Sequence, residues 1–235
     1  PILFYDKMQV VGPSGINIER FDEKMKLEQN RRLVTYYSLL TQMRVNGGND
    51  YLNLVNSILS GKCNQQACLE NYDFKVMSDF NRFNNLQQKL EDEFTLSRML
   101  AGYAWEWKRK KDKSLYDMEL DGVKKQWNYR LENWVLSEGA DKQVGCIHTI
   151  QGFDLNYGFV IMGNEIGYDP ESKEIIVRPE NYYDQNGRKT ASKEELLEYI
   201  KHIYYVLMTR GIKGTYLYIC DDNLRKYVSS IIGEI

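Results

Sequence analysis

Residues 192–220 read SKEELLEYIKHIYYVLMTRGIKGTYLYIC, and a change of period inside this stretch decides the fold. Leu196, Ile200, Ile203 and Leu207 recur at spacings of three and four, the apolar stripe of an amphipathic helix over 192–208. Ser192 is a helix-capping residue, and Glu195 three positions on completes a capping box, in which hydroxyl and carboxylate satisfy backbone N–H groups that the first turn leaves unpaired. After Arg210-Gly211 the period is lost. Residues 215–220 form a β-branched and aromatic run suited to a buried strand. A helix leading straight into such a strand is half of an alternating α/β unit.

The same alternation extends in both directions. Downstream, 222–231 reads as a last helix. Upstream, 144–147 and 159–162 read as strands, and 175–177 as a short hairpin strand beside a turn at 184–187. Further back, 97–103 is a buried strand and 80–94 a helix with Phe83, Leu86, Leu90 and Phe94 on one stripe. The pattern continues with a strand at 74–77 and a helix at 50–59 capped by Asn49 or Asp50. Residues 33–40 combine strand with part of a helix, Gly12-Pro13-Ser14-Gly15 is a turn, and 2–5 is a short apolar strand ending at Asp6. Alternation of this kind predicts an α/β fold with a mostly parallel sheet flanked by helices.

Residues 105–141 break the rhythm. Trp105, Trp107, Trp127 and Trp134 lie among Lys108, Lys110, Lys111, Lys113, Lys124, Lys125 and Arg130, and Asp121-Gly122 between alternating residues is a hairpin signal. The region reads as a Trp/Lys-rich hairpin insertion. Rings beside cations suit single-stranded nucleic acid. Equally, tryptophans pin small hairpins to a core and lysines protect strand edges, and this structural reading is the one we favour. The chain divides accordingly into 1–103, an insertion at 104–143, and 144–235.

Composition restricts function little. Lys and Arg number 31 against 33 Asp and Glu, a net charge of -2, which argues against a strongly basic nucleic-acid coat protein and leaves room for a local basic groove. No window approaches the roughly 18 unbroken apolar residues of a membrane span, and no signal peptide is evident, so a cytoplasmic location is expected. Cys63, Cys68, Cys146 and Cys220 lack the spacing of a zinc knuckle, and reduced thiols are the expectation. The chain begins at Pro1 and not at Met, which leaves a fragment, a processed product or an excised piece as open readings.

Four segments, in order, resemble the late motifs of superfamily one helicases. Tyr5-Asp6-Lys7-Met8-Gln9 resembles motif III, with Tyr5 where that family has glycine; Leu39-Leu40-Thr41-Gln42-Met43-Arg44 resembles motif IV. His148-Thr149-Ile150-Gln151-Gly152-Phe153-Asp154 resembles motif V, and Tyr205-Val206-Leu207-Met208-Thr209-Arg210-Gly211 resembles motif VI. Ala101-Gly102-Tyr103-Ala104-Trp105 and Gly145-Cys146-Ile147-His148 look closer to an uncharacterised bacterial helicase-like group akin to the Schlafen type.

The resemblance implies a RecA-like C-terminal motor domain and a role for each matched residue. Arg210 is the arginine finger and Arg44 the second cation, since phosphoryl transfer builds charge that a placed guanidinium offsets. Gln9, Gln151, Gly152 and Asp154 lie near the nucleotide, with glycine allowing close backbone approach. His148, Thr149 and Trp105 are the nucleic-acid contacts. The bland readings are a surface arginine before a glycine-rich loop for Arg44, a helix-terminal arginine for Arg210, and a packed strand-end histidine for His148.

No Gly-x-x-x-x-Gly-Lys-Ser/Thr occurs, and no Asp-Glu pair follows a strand to hold magnesium. ATP and Mg2+ are therefore expected to be bound mainly by an N-terminal P-loop domain of the same protein, and the isolated chain is expected to be inactive. Two functions follow. One is the C-terminal motor half of an ATP-dependent helicase or translocase on single-stranded DNA or RNA. The other is a non-catalytic RecA-like module that binds nucleic acid or protein.

Overall fold

A computed structural model describes residues 2–15, 18–29, 35, 37–38 and 42–235. In chain order the elements are α1 (Ile18–Gln29), α2 (Gly48–Leu59), β1 (Asp73–Val76), α3 (Phe80–Phe94), β2 (Ser97–Ala101), β3 (Met118–Leu120), β4 (Val123–Lys125), β5 (Val144–Gly145) and α4 (Ile147–Ile150). They continue with β6 (Leu155–Met162), β7 (Ile166–Asp169), β8 (Glu174–Val177), α5 (Gln185–Thr190), α6 (Lys193–Met208), β9 (Gly211–Ile219) and α7 (Asp222–Ile232). Five strands form one parallel sheet in the order β1-β9-β6-β2-β5. This is the α/β class that the alternation predicts.

Strand pleating divides the core. Successive side chains point to opposite faces. Leu100, Val160 and Leu217 join one apolar cluster with residues of α2, α6 and α7. Their neighbours Met99, Phe159 and Tyr216 join a second cluster with Phe80, Phe83 and Leu90 of α3. The sheet is thus covered on both sides, and every residue of β2 is buried. The capping box at α6 forms as read: Ser192 accepts from the Glu195 N–H, and the Glu195 side chain accepts from the Ser192 N–H. β9 starts four residues earlier than expected, at Gly211, because two glycines permit a tight entry. A Cβ on Gly211 would lie 2.2 Å from the Gly214 carbonyl oxygen.

The insertion contributes to both clusters: Met118 and Trp127 to the second, Trp134, Val135 and Ala140 to the first. β3 and β4 form one antiparallel hairpin, and Asp121 and Gly122 at its tip both have positive φ, 48° and 81°, as a two-residue hairpin turn requires. Asp121 Oδ2 accepts from the Phe80 N–H at 2.8 Å and from the Tyr218 hydroxyl at 3.2 Å, so the tip caps α3 and ties it to β9. Trp127 and Trp134 are fully buried. Trp127 bridges Val144, and the N–H groups of Asn128 and Val144 complete bonds that extend the sheet beyond β5. Gly145 is needed there: a Cβ would sit 2.3 Å from the Trp134 ring.

Several expectations fail. Residues 2–5 form no strand, and Ile2 and Phe4 are 85% and 84% exposed, because among the described residues no strand pairs with them. Neither Asn49 nor Asp50 caps α2; its N-cap is Gly47. The strand expected at 144–147 stops at Gly145, and Cys146 caps a short helix. Residues 175–177 pair with the unanticipated β7, and 184–187 open helix α5 where a turn was expected. The mixed element at 33–40 lies largely outside the described residues, as do 39–41 of the motif IV segment.

Trp127→Ala should lower unfolding stability by about 3–5 kcal/mol, the usual cost of emptying so large a buried site. Trp107→Ala, at a half-buried ring packed on Trp127 at 5.8 Å, should cost clearly less. Urea midpoints of the two variants measure the difference.

Candidate functional site

Parallel strands place their N-terminal ends on one edge of the sheet. β9 pairs with β6 from Leu155 opposite Gly211, and the Leu155 N–H donates to the Arg210 carbonyl at 2.9 Å. Asp154 and Arg210, one residue before each strand, therefore meet at this edge. Arg210 is 3% exposed, and its Nε donates to the Val206 carbonyl at 3.1 Å, the last turn of α6. Arg44 comes to the same place and its Nε lies 2.5 Å from Asp154 Oδ1, with the two side chains 39% and 49% exposed. Burial first, and then the neighbouring Arg44, pull the Arg210 pKa down to about 10, against Asp154, Asp6 and Tyr205. The guanidinium stays charged at neutral pH, in surroundings that favour an added anion.

Gln9 reaches this edge on a 3-10 turn, Lys7–Gln9, capped by Asp6. Its side-chain amide donates to Asp6 Oδ2 at 3.0 Å, and the Val10 carbonyl lies 2.9 Å from His202 Nδ1 on α6. Gln151 and Gly152 are exposed on the loop that leads into β6. Gly152 has φ +85° with open space around it, so the backbone turn and not crowding requires glycine here.

The remaining sequence-derived positions lie at the opposite edge, past the C-terminal ends of β2 and β5. His148 is exposed on α4, its ring 6.1 Å from that of Tyr103. Trp105 is half-buried and meets Trp127 edge-on at 6.5 Å. Exposed Lys108, Lys110 and Lys111 follow it, with Lys110 over the Trp107 ring at 4.4 Å. Thr149 is different: it is buried and its hydroxyl donates to the Cys146 carbonyl at 2.8 Å, which holds α4 in place. α4 and its following loop connect this edge to Asp154 at the other.

A buried acid that sequence reasoning missed lies beneath the Gly102–Trp105 segment. Glu165 is fully buried; Oε1 accepts from the Tyr204 hydroxyl and Oε2 has no hydrogen-bond partner. Glycines make room for it. A Cβ on Gly102 would lie 2.6 Å from Oε1, and one on Gly163 2.5 Å from Oε2. Burial raises the carboxyl pKa to about 7, and the Tyr204 bond opposes that rise. Nothing in the local sequence separates Glu165 from a surface acid at a strand end. Among the described residues no group of three His, Cys, Asp or Glu side chains could hold a metal, and the four cysteines are free thiols. Among them, too, no helix is long and apolar enough to cross a membrane.

Comparison with known proteins places the chain in a family. Residues 1–221 match the model of the Schlafen group 3 DNA/RNA helicase domain. An uncharacterized protein of Saccharomyces cerevisiae is 32% identical over 81% of this chain and 47% of its own length, so the chain spans about half of that relative. No solved structure matches. The chain belongs to the Schlafen group 3 helicase-domain family and is a helicase-like, nucleic-acid-related module.

Glu165 gives this domain a pH signature. Its folded pKa of about 7 lies above its ordinary value of 4.5. Between those limits the folded protein keeps a proton that the unfolded chain releases. Stability from this group is therefore highest below pH 4.5, falls as pH rises toward 7, and levels off above, a change of about 3 kcal/mol. Urea denaturation at pH 5 and pH 7.5 should show a larger difference in wild type than in Glu165→Gln.

Proposed function

We propose that the chain is the C-terminal motor half of an ATP-dependent helicase or translocase of the Schlafen group 3 family, completing a nucleotide site whose P-loop half lies outside these 235 residues. The observation that carries this reading is the convergence of Arg210 and Arg44 at one sheet edge, with Asp154 the carboxylate paired to Arg44. Two guanidiniums brought together, one of them desolvated by burial and offset only by Asp154 and Asp6, suit the phosphates of ATP. ATP and Mg2+ are held mainly by the P-loop domain, and the charge that builds on the transferring phosphoryl group is what Arg210 and Arg44 offset. Gln9 senses the nucleotide, and Gln151 and Gly152 approach it through the loop that carries Asp154.

Single-stranded DNA or RNA runs along the opposite edge, over His148 and Trp105 and the lysines that follow. Thr149, with its hydroxyl turned to Cys146, supports that surface from beneath. Work of this kind suits the cytoplasm. A second reading, a non-catalytic module that binds nucleic acid or protein, is favoured by the deep burial of Arg210; a finger that must reach a second domain is more commonly exposed.

Hydrolysis by the intact protein separates the two. Nucleic-acid-stimulated ATP turnover should fall on the order of a thousandfold in Arg210→Ala, with the melting profile intact. Turnover indifferent to this change would leave the binding module standing. Trp105→Ala should weaken binding of a single-stranded oligonucleotide by about 1–3 kcal/mol, the value of one stacked base, as read by fluorescence anisotropy; unchanged binding would remove Trp105 from the interface.

A further inference from the structure

The Arg44–Asp154 pair has properties that a purely structural ion pair would not need. Both side chains are substantially exposed, and Nε of the arginine meets Oδ1 of the aspartate. Such pairs contribute little to stability and exchange readily. Yet this one occupies a cation placed beside a second, buried guanidinium, where anions are in demand. Asp154 also sits at the junction of two restraints. On its C-terminal side Leu155 is fastened to the Arg210 carbonyl. On its N-terminal side the exposed Gln151-Gly152 turn leads back to α4 and His148 at the far edge of the sheet.

We propose that Asp154 is an internal stand-in for the nucleotide's terminal phosphate: it holds Arg44 while the site is empty and yields it to the phosphate on binding. The inference rests on the reading above, that Arg44 meets the nucleotide. The carboxylate carries one negative charge, whereas a terminal phosphate carries more and attracts a guanidinium more strongly. Exchange therefore runs toward the nucleotide. Asp154 keeps Arg44 oriented and, with Asp6, offsets the charge of two neighbouring guanidiniums in the empty state. It also sets a competitor against weak anions, so free phosphate gains less from the site than a triphosphate anchored at its other end. Once released, Asp154 no longer tethers the loop to Arg44, which gives the nucleotide edge a mechanical connection to the edge that carries His148.

The test is a double-mutant cycle in the intact protein, with AMPPNP and magnesium as the probe and equilibrium affinity as the readout. Asp154→Asn removes the competing charge at an exposed position and should tighten AMPPNP roughly threefold to fivefold, the range expected for an exposed pair. Asp154→Glu should return wild-type affinity. In an Arg44→Ala background the Asp154→Asn change should have no effect, because there is no cation to release. Equal tightening in both backgrounds would mean simple repulsion between Asp154 and the phosphates and would overturn the stand-in role. So would no tightening by Asp154→Asn in the protein that retains Arg44, with Arg44→Ala itself weakening AMPPNP, and that result would leave the phosphate reading of Arg44 in place. If Arg44→Ala leaves affinity unchanged, the phosphate reading fails and the stand-in fails with it.

Discussion

The pairing of β6 with β9 governs the arrangement of everything functional in this domain. Because the strands are parallel and their register begins with Leu155 beside Gly211, the residues that precede them are delivered to one edge whatever their side chains are. Asp154 and Arg210 meet for that reason. The backbone bond from Leu155 to the Arg210 carbonyl then fixes the height of the arginine relative to the sheet. Pleating decides the rest: with successive side chains facing opposite ways, one face of the sheet receives α2, α6, α7 and the Trp134 end of the insertion, and the other receives α3 and the hairpin with Trp127. An arginine at the end of α6 is consequently held against the last turn of its helix, 3% exposed.

Electrostatics in the domain follow burial more than net charge. A formal charge of -2 says nothing of Arg210, whose guanidinium is enclosed beside another cation, or of Glu165, enclosed with one oxygen unbonded. The two are at opposite ends of the sheet, and their burdens differ in sign. The arginine favours an incoming anion. The glutamate favours a proton, and it supports the backbone turn at Gly102 and Gly163 by fitting where any side chain on those glycines would collide.

Long periodic elements were legible in advance. The stripe at Phe83, Leu86, Leu90 and Phe94 gave α3 its observed limits, and Ser192 with Glu195 located the start of α6. Such signals are local, so a single sequence carries them. Residues 2–5 misled because an apolar run has the composition of a strand without guaranteeing a partner. β7 was overlooked because Ile166-Gly167-Tyr168-Asp169 is short and weakly alternating, and becomes a strand through β8. The helicase-like motifs supplied candidate residues and their order, yet not which edge each would occupy. The Arg44–Asp154 pair joins residues far apart in the chain, and the environment of Glu165 is assembled from β2, β6 and α6; neither leaves a trace in local spacing. The tryptophans of the insertion are an intermediate case, where composition allowed two readings and the burial of Trp127 and Trp134 accords with the structural one.

The strand order also has a consequence for how the chain is made. β9, the last strand in sequence, lies between β1 and β6. During synthesis the first 210 residues can gather β6, β2 and β5 into a partial sheet, but β1 has no neighbour until residues 211–219 emerge. The earliest and latest strands are joined only then, across the longest loop closure in the sheet, and non-local pairing of this kind is slow. Until that moment the edge of β6 is open and its apolar residues lack a partner, which is when a nascent chain is most exposed to wrong association. The segment that carries Arg210 into position is therefore also the one whose arrival closes the fold.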